Sequence, residues 1–382
     1  MLTSRQDDPI RTADHRARAA AESVRSRFGH RLFGLPFTHL GAVQHPRERT
    51  RSPWHYWWQA QYLDVLVDET LREADRGSSS AAARSALTAL RLLRGIHLRN
   101  GLRWTNAYYD DMAWLALAVD RMGQVRDGGG RALAPLDRAL RSAHTADLGG
   151  GLYWNTSRDF KNTPATGPAA LFFARRGQPE RGQELVDWLG ERLRDGQTGL
   201  YLDGIRVKAG RATLVPTVYT YNQGPVLGAL LELGGTANLA TAADLVSAVD
   251  SQLGTEGVLL THGAGDGGLF TGILVRYLAF AALNPLLPDS ARRTAETLVT
   301  ATSENLWAGR TAETAPSPRR FHRFRGVRPG GAPDLLTFPA GTGEAAAPGG
   351  AQLSTQLQAW MILEAGYRVA AGSTRAAADE RG

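Results

Sequence analysis

The 382-residue chain contains no cysteine. A disulfide framework, a thiolate nucleophile and a cysteine-ligated metal are therefore excluded. Lysine is nearly absent as well. Lys161 and Lys208 are the only two, so the net charge of +7 rests on arginine. No basic helix with interleaved aromatics of the nucleic-acid-binding kind is present, and a basic surface of this sort suits anionic polymers or glycolipids better. No run is long and apolar enough to span a membrane. Residues 1–27 are polar and arginine-rich, without the apolar core of a signal peptide. The expectation is a cytoplasmic protein, or a secreted one if the chain is an edited or mature form. Nine histidines are scattered with no His-Glu-x-x-His spacing and no carboxylate cluster, which argues against metal catalysis. There is no Gly-x-Ser-x-Gly for serine hydrolase chemistry. Gly263-Ala-Gly-Asp-Gly-Gly lacks both a preceding strand and a following Lys-Ser/Thr, so it reads as a flexible rim loop rather than a phosphate loop.

What the chain has is helical periodicity. Hydrophobic residues make up 43% of it, enough for a sizeable core. Twelve helical patterns fall at 13–28, 54–75, 80–95, 106–122, 131–146, 164–177, 179–194, 222–234, 237–252, 268–283, 288–306 and 352–370. Ser52-Pro53, Thr163-Pro164 and Pro288-Asp289 are helix-start signals, and Gly196, Gly234 and Gly254 suit helix ends. Strand signals are short, as at Tyr201-Leu202 and Arg206-Val207. Long connections follow every odd-numbered helix and carry aromatic or polar residues, as in Phe33 to Pro46, His97 to Thr105, Leu148 to Asn162 and Gly199 to Thr220; the others are tight. Six hairpins of this kind predict an all-α (α/α)6 barrel with the long loops at one rim. The expected organisation is a single catalytic domain over 1–370 and a disordered tail over 371–382. The segment 308–350 is the longest connection and holds Arg319, Arg320, Arg323, Arg325 and Arg328.

The densest chemistry lies at Tyr108-Tyr-Asp-Asp-Met-Ala-Trp114, which sets Asp110 and Asp111 at the start of an otherwise apolar helix. Adjacent helical residues point about 100° apart, so the two carboxylates reach one cavity only from different sides. The positive helix end favours ionisation of one; that charge, with burial among aromatics, raises the pKa of the other. One ionised and one protonated carboxyl is what glycoside cleavage uses. An ordinary acidic first turn fits the letters too. Trp54 to Gln61 is rich in aromatics, with Trp58 able to stack on a sugar and Gln59 to bond hydroxyls, or both able to pack a core. Trp154 in a loop suggests ligand stacking. Asp203 sits in an Asp-Gly turn. Tyr219-Thr-Tyr-Asn-Gln-Gly224 is either a polar site cluster or a capping segment with Asn222 as cap.

Together these segments resemble glycoside hydrolase family 76, the endo-α-1,6-mannanases. The matching pieces are Tyr-Trp-Trp-Gln-Ala (56–60), Tyr-Tyr-Asp-Asp-Met-Ala-Trp (108–114), Gly-Gly-Leu-Tyr-Trp-Asn (150–155) with Lys161-Asn162, Leu-Asp-Gly-Ile (202–205), Thr-Tyr-Asn-Gln-Gly (220–224) and Phe-Thr-Gly-Ile-Leu-Val-Arg-Tyr-Leu (270–278). Thr271, where the family often has lysine, and Thr166-Gly167-Pro168, in place of Asn-Gly-Leu, depart from it. The resemblance implies an (α/α)6 barrel and retaining hydrolysis of α-1,6-mannan, with Asp110 as nucleophile and Asp111 as acid/base. The expected substrate-binding residues are Trp58, Gln59, Tyr109, Trp154, Asn155, Lys161, Asn162, Asp203, Tyr221, Asn222 and Gln223. No metal or cofactor is expected, and the expected partner is an α-mannan bound by a monomer. The rival readings are a carbohydrate-binding protein without turnover and another (α/α)6 sugar enzyme of the epimerase or uronyl hydrolase type. An epimerase would use a histidine, and none accompanies the acid pair in the sequence.

Overall fold

Apolar residues recurring at helical spacing, stopped by glycine and proline, form helices at all twelve expected places. The structure is a computed structural model that describes residues 8–45, 53–208, 210–313, 335–346 and 351–379. In chain order the helices are α1 (Pro9–Phe28), α2 (Tyr56–Asp75), α3 (Ser79–Arg99), α4 (Tyr109–Met122), α5 (Gly130–Ala143), α6 (Thr163–Arg175), α7 (Pro179–Arg192), α8 (Thr220–Leu233), α9 (Gly235–Leu253), α10 (Phe270–Ala282), α11 (Asp289–Ala308) and α12 (Leu353–Asp379). The caps differ from the sequence reading in detail. Asn162, not Thr163, caps α6, its side chain accepting from the Ala165 N–H at 3.2 Å. Tyr219 precedes α8, so Asn222 lies inside the first turn instead of capping it. Gly234 and Gly235, at φ 64° and 75°, reverse the chain between α8 and α9 in a backbone region that disfavours other residues.

The even-numbered helices close a ring. α2 packs on α4, α4 on α6, α6 on α8, α8 on α10, α10 on α12, and α12 returns to α2; each odd-numbered helix backs one of them from outside. The sequence shows why. α10 is buried almost throughout, whereas α5 buries only Ala132, Leu136, Leu140 and Ala143, a single stripe at helical spacing. This is the expected (α/α)6 barrel. The long connections gather at the rim where the inner helices begin. They hold short ladders and one three-stranded antiparallel sheet, in which Leu202–Lys208 lies between Phe160–Asn162 and Arg211–Val218.

One expectation needs correction. Residues 371–379 are not a disordered tail: α12 continues through Asp379, and Ser373 donates to Glu296 at 2.9 Å while Arg375 pairs with Asp75 at 2.8 Å; residues 380–382 lie outside the described residues. Within 308–350, Leu335–Thr337 pairs with Thr311–Glu313, while the five arginines from Arg319 to Arg328 lie outside the described residues. No helix among the described residues is long and apolar enough to cross a membrane.

The rim carries a repeat that is hard to see in the letters. The fourth residue of α2, Gln59, accepts from the Gly41 N–H at 2.8 Å and donates to the Gly41 carbonyl at 3.0 Å. The fourth residue of α8, Gln223, grips both backbone groups of Tyr201 at 2.9 Å. The fourth residue of α12, Gln356, does the same to Phe338 at 2.9 Å. In α6 the equivalent Thr166 accepts from the Leu152 N–H at 3.0 Å. Each clamp ties an incoming loop to the first turn of an inner helix and satisfies buried backbone groups that water does not reach. Replacing Gln59 by alanine leaves two such groups unpaired and should cost about 2–4 kcal/mol of unfolding free energy. Denaturant titration checks this, and a loss below about 1 kcal/mol would contradict the clamp.

Candidate active site

The first turn of α4 is where chemistry and fold meet. The Tyr109 N–H donates to the Trp154 carbonyl at 2.7 Å, and Tyr108 bridges to Asn155, so the loop before α6 is pinned across the helix start. Asn106 shapes the entry. Its carbonyl accepts from the Tyr108 N–H at 2.8 Å, and its amide donates to Asp111 Oδ2 at 2.5 Å. Asp110 Oδ2 accepts from the Trp154 indole at 3.0 Å, while its Oδ1 is buried without a partner. Both carboxyls enter one open groove of about 600 Å³, walled by Trp57, Tyr108 and Trp154 among others, from the two sides that helical geometry predicts.

A third carboxylate faces the same groove. Asp266 Oδ1 accepts from the Trp58 indole at 2.7 Å and the Trp57 indole at 3.1 Å. The two glycines that follow it are there for close packing. A side chain at Gly267 would meet the His262 carbonyl at 2.3 Å, and one at Gly268 would meet Ser354 at 2.8 Å. The turn is close-packed and holds Asp266 in place, which corrects the reading of a flexible loop. The crowding of glycines around one acid was the available signal. Asn106 had none beyond its position before the acid pair.

Among the described residues no cation stands by the pair. Burial pushes the Asp110 carboxyl up to about 7, with the helix-start amides and the Trp154 indole pulling it back and the charge of Asp266 adding to the rise. Burial also drives Asp111 well above the carboxylate range; the charges of Asp110 and Asp266 add to this, and the Asn106 amide offsets part of it. Asp110 has more donors aimed at it, and Asp111 carries the larger repulsion. Asp111 is therefore the group that keeps its proton and Asp110 the one that ionises first.

The other expected residues divide sharply. Trp154 lines the groove as anticipated. Tyr221 stacks on Phe270 at 3.9 Å near Trp57 and Trp114, and burial, Asp203 and Asp110 raise its hydroxyl well above its usual value. Asp203 is raised by burial, and the adjoining Asn222 amide pulls it part of the way back. Trp58 is 2% exposed and stacks on His55 at 4.3 Å; it belongs to the core, and its neighbour Trp57 faces the groove instead. Tyr109 is buried behind the helix start. Gln59 and Gln223 are used up as loop clamps. Asn155 accepts from Ser157 in its own turn, and Asn162 caps α6. Lys161 is fully buried and donates to the carbonyls of Thr145, Asp147 and Gly150 at 2.6–2.9 Å, which holds the 144–150 loop and leaves no donor for a sugar. Its ammonium is lowered to about 8, mainly by burial. His55 does line the groove, so a histidine accompanies the acids after all, held against Trp58. Among the described residues no histidine–carboxylate cluster forms a metal site.

The profile of glycosyl hydrolase family 76 matches residues 38–318. Among solved structures, the family 76 α-1,6-mannanase of Salegentibacter sp. HEL1_6 is 29% identical, with 92% of this chain and 98% of that chain covered and a TM-score of 0.76. An inactive variant of that enzyme, with two consecutive aspartates changed to asparagine and in complex with α-1,6-mannotriose, is 28% identical over 94% and 99% of the two chains, with a TM-score of 0.78. A protein of Listeria innocua, 22% identical over 95% and 98%, shares the fold at a TM-score of 0.73. No curated protein matches the chain.

Two tests follow from the electrostatics. A carboxyl whose folded pKa lies above its unfolded value leaves the folded chain holding more protons in that window, so it costs stability as pH rises and costs nothing below about pH 4. Asp111→Asn should therefore raise the melting temperature by roughly 2–5 °C near pH 8, a gain that fades towards pH 4. A pH-independent change would rule out the raised pair. Asp266→Asn keeps an acceptor for both indoles and removes a negative charge. It should move the pH dependence of kcat/KM towards acid by roughly half a unit, and an unmoved profile would show that Asp266 does not tune the pair.

Proposed function

The chain belongs to glycosyl hydrolase family 76, and from that premise we propose that it is a retaining, endo-acting hydrolase of α-1,6-linked mannan. Asp110 is the nucleophile and Asp111 the acid/base. The observation that carries the reading is two adjacent, half-buried carboxyls that share one aromatic-walled groove, and the raised proton affinity of both agrees with it. Ionised Asp110, oriented by the Trp154 indole, attacks the anomeric carbon as Asp111 gives its proton to the departing glycosidic oxygen. The covalent mannosyl-enzyme is then opened by water that Asp111, now ionised, deprotonates. Two inversions give net retention. The neighbour that loses activity when two consecutive aspartates become asparagine supports the pair, because Asp110-Asp111 is the only such pair within residues 38–318. The trisaccharide held by that neighbour supports the linkage. Trp57, Tyr108 and Trp154 offer the apolar faces on which sugar C–H surfaces stack, and an open groove suits a chain cleaved internally.

Proton NMR of the first-formed product on linear α-1,6-mannan should show the α-anomer. Asp110→Asn should be inactive on every substrate. Asp111→Asn should lose about 10²–10⁴-fold on mannan, yet keep the first step on an aryl mannoside whose leaving group needs no proton. A β-product, or full mannan activity in Asp110→Asn, would refute the assignment.

A further inference from the structure

The loop after α1 does something that folding alone does not ask for. Phe33 is 86% exposed and Phe37 63% exposed, with Leu35 exposed between them. Leu102, in the turn after α3, is 65% exposed. Phe33, Phe37 and Leu102 sit at φ 47°, 59° and 60°, in the left-handed region that side chains other than glycine's disfavour. The loop is nevertheless ordered. Thr38 Oγ1 accepts from the Leu32 N–H at 3.1 Å and donates to the Leu35 carbonyl at 2.7 Å, and the His39 N–H reaches the Arg91 carbonyl of α3 at 3.0 Å. The chain is held so that large apolar side chains project into water.

Phe37 forms one wall of a cavity of about 460 Å³ whose floor is Leu87, Leu90 and Leu93. Arg91, Arg94, Arg131 and His97 complete it, and no carboxylate lines it among the described residues. Other cavities of this protein mix signs: Glu296 and Glu304 line the one beside α1, α11 and α12, and Asp68, Asp75 and Glu364 line the one at the ends of α2 and α12. Here two buried polar atoms, Arg91 Nε and His97 Nδ1, have no partner. An apolar floor, a rim of unopposed cations and protruding aromatics next to it match a phosphate headgroup with its acyl chains.

We propose that this face docks the protein on an anionic phospholipid surface. Arg91, Arg94 and Arg131 hold a headgroup phosphate at the cavity, while Phe33, Leu35, Phe37 and Leu102 enter the interfacial layer. The docking does not depend on which reaction is catalysed. It has a consequence for the groove, though. His97 stacks on Trp104 at 4.0 Å, and the Trp104 carbonyl accepts from the Tyr56 hydroxyl, which lines the groove. One short segment therefore separates the lipid face from the acid pair, so glycans rooted in the bilayer would be brought to Asp110 and Asp111.

The test is flotation of the full chain with phosphatidylcholine vesicles, with and without about one quarter phosphatidylglycerol, at about 0.1 M and about 0.5 M salt. Binding to the anionic vesicles alone, weakened by salt, is expected. Arg94→Gln and Arg131→Gln should each weaken it by about fivefold. Phe33→Ser with Phe37→Ser should abolish it while leaving the melting temperature and soluble-substrate turnover unchanged, because these side chains are already in water. Absence of flotation, or flotation unchanged in these variants, would overturn the proposal. So would inorganic phosphate binding as tightly as dihexanoyl phosphatidylglycerol in a thermal-shift titration, which would make the cavity a free-phosphate site. A loss of self-association in the phenylalanine variant, with no vesicle binding by the parent, would assign the patch to a second copy of the chain and equally overturn it.

Discussion

An α-helix leaves four backbone amides without intrahelical partners at its start, and the dipole makes that end positive. In this barrel all six inner helices start at the same rim. The loops that feed them must satisfy those amides and must themselves be held where water is scarce. Gln59, Thr166, Gln223 and Gln356 do this from the same position in four helices. Lys161 does it for the 144–150 loop, and Asn162 for the start of α6. The groove is the part of the rim that these clamps leave open. Its acids lie at the first turn of α4, where helix-start amides partly offset the cost of burying Asp110.

A second set of buried acids shows what the groove avoids. Deeper in the ring, Asp64 and Asp68 of α2 are bridged by Arg121 of α4 and Arg276 of α10, with Arg276 at 2.7 Å and 3.0 Å. Burial would raise Asp68, but Arg121, Arg276 and Arg368 hold it well below the usual carboxylate range. Asp110 and Asp111 are half-buried with indole and amide partners only among the described residues, and they go up. The two clusters share α2 or α4 with each other. Whether an arginine is within reach separates a structural acid, permanently ionised, from a pair able to exchange protons near neutral pH. Trading a salt bridge for an indole costs stability, and it is the condition for proton transfer.

The architecture was legible because its causes are local. Amphipathic stripes such as that of α5, and the alternation of tight and long connections, specify a ring of hairpins before any contact is known. The acid pair stood out because a costly group at a helix start contrasts with an apolar run, and Trp154 because a loop is an unusual place for a large aromatic ring. Gln59, Gln223, Lys161 and Asn162 were misread because a polar side chain beside aromatics at a rim has two suitable partners, a sugar hydroxyl or the protein's own backbone, and only the fold decides which. Trp57 and Trp58 were exchanged because helix phase near a terminus depends on where the first turn begins. Asp266 was passed over because its neighbours are glycines, which in sequence suggest freedom and in the structure permit close approach. The end of α12 was missed because Gly372 reads as a helix stop, and the contacts of Ser373 and Arg375 that carry the helix past it are with distant helices.

The groove also shows how few residues set its electrostatics. Trp57 and Trp58 point about 100° apart, one into the groove and one into the core, yet both indoles donate to the same oxygen of Asp266. That leaves Asp266 fixed, facing the pair it raises. Asp111 feels Asp110 more strongly than Asp266, so ionisation of Asp110 strengthens the hold of Asp111 on its proton. The difference between donor and nucleophile is thus partly made by the pair itself. On the retaining mechanism proposed above, Asp110 loses its charge when it is covalently occupied and Asp111 becomes the easier acid to ionise, the state in which it accepts a proton from water. On the proposed retaining pathway the alternation of roles follows from the coupling of two neighbours, with Asn106, Trp154 and Asp266 biasing which of them loses its proton first.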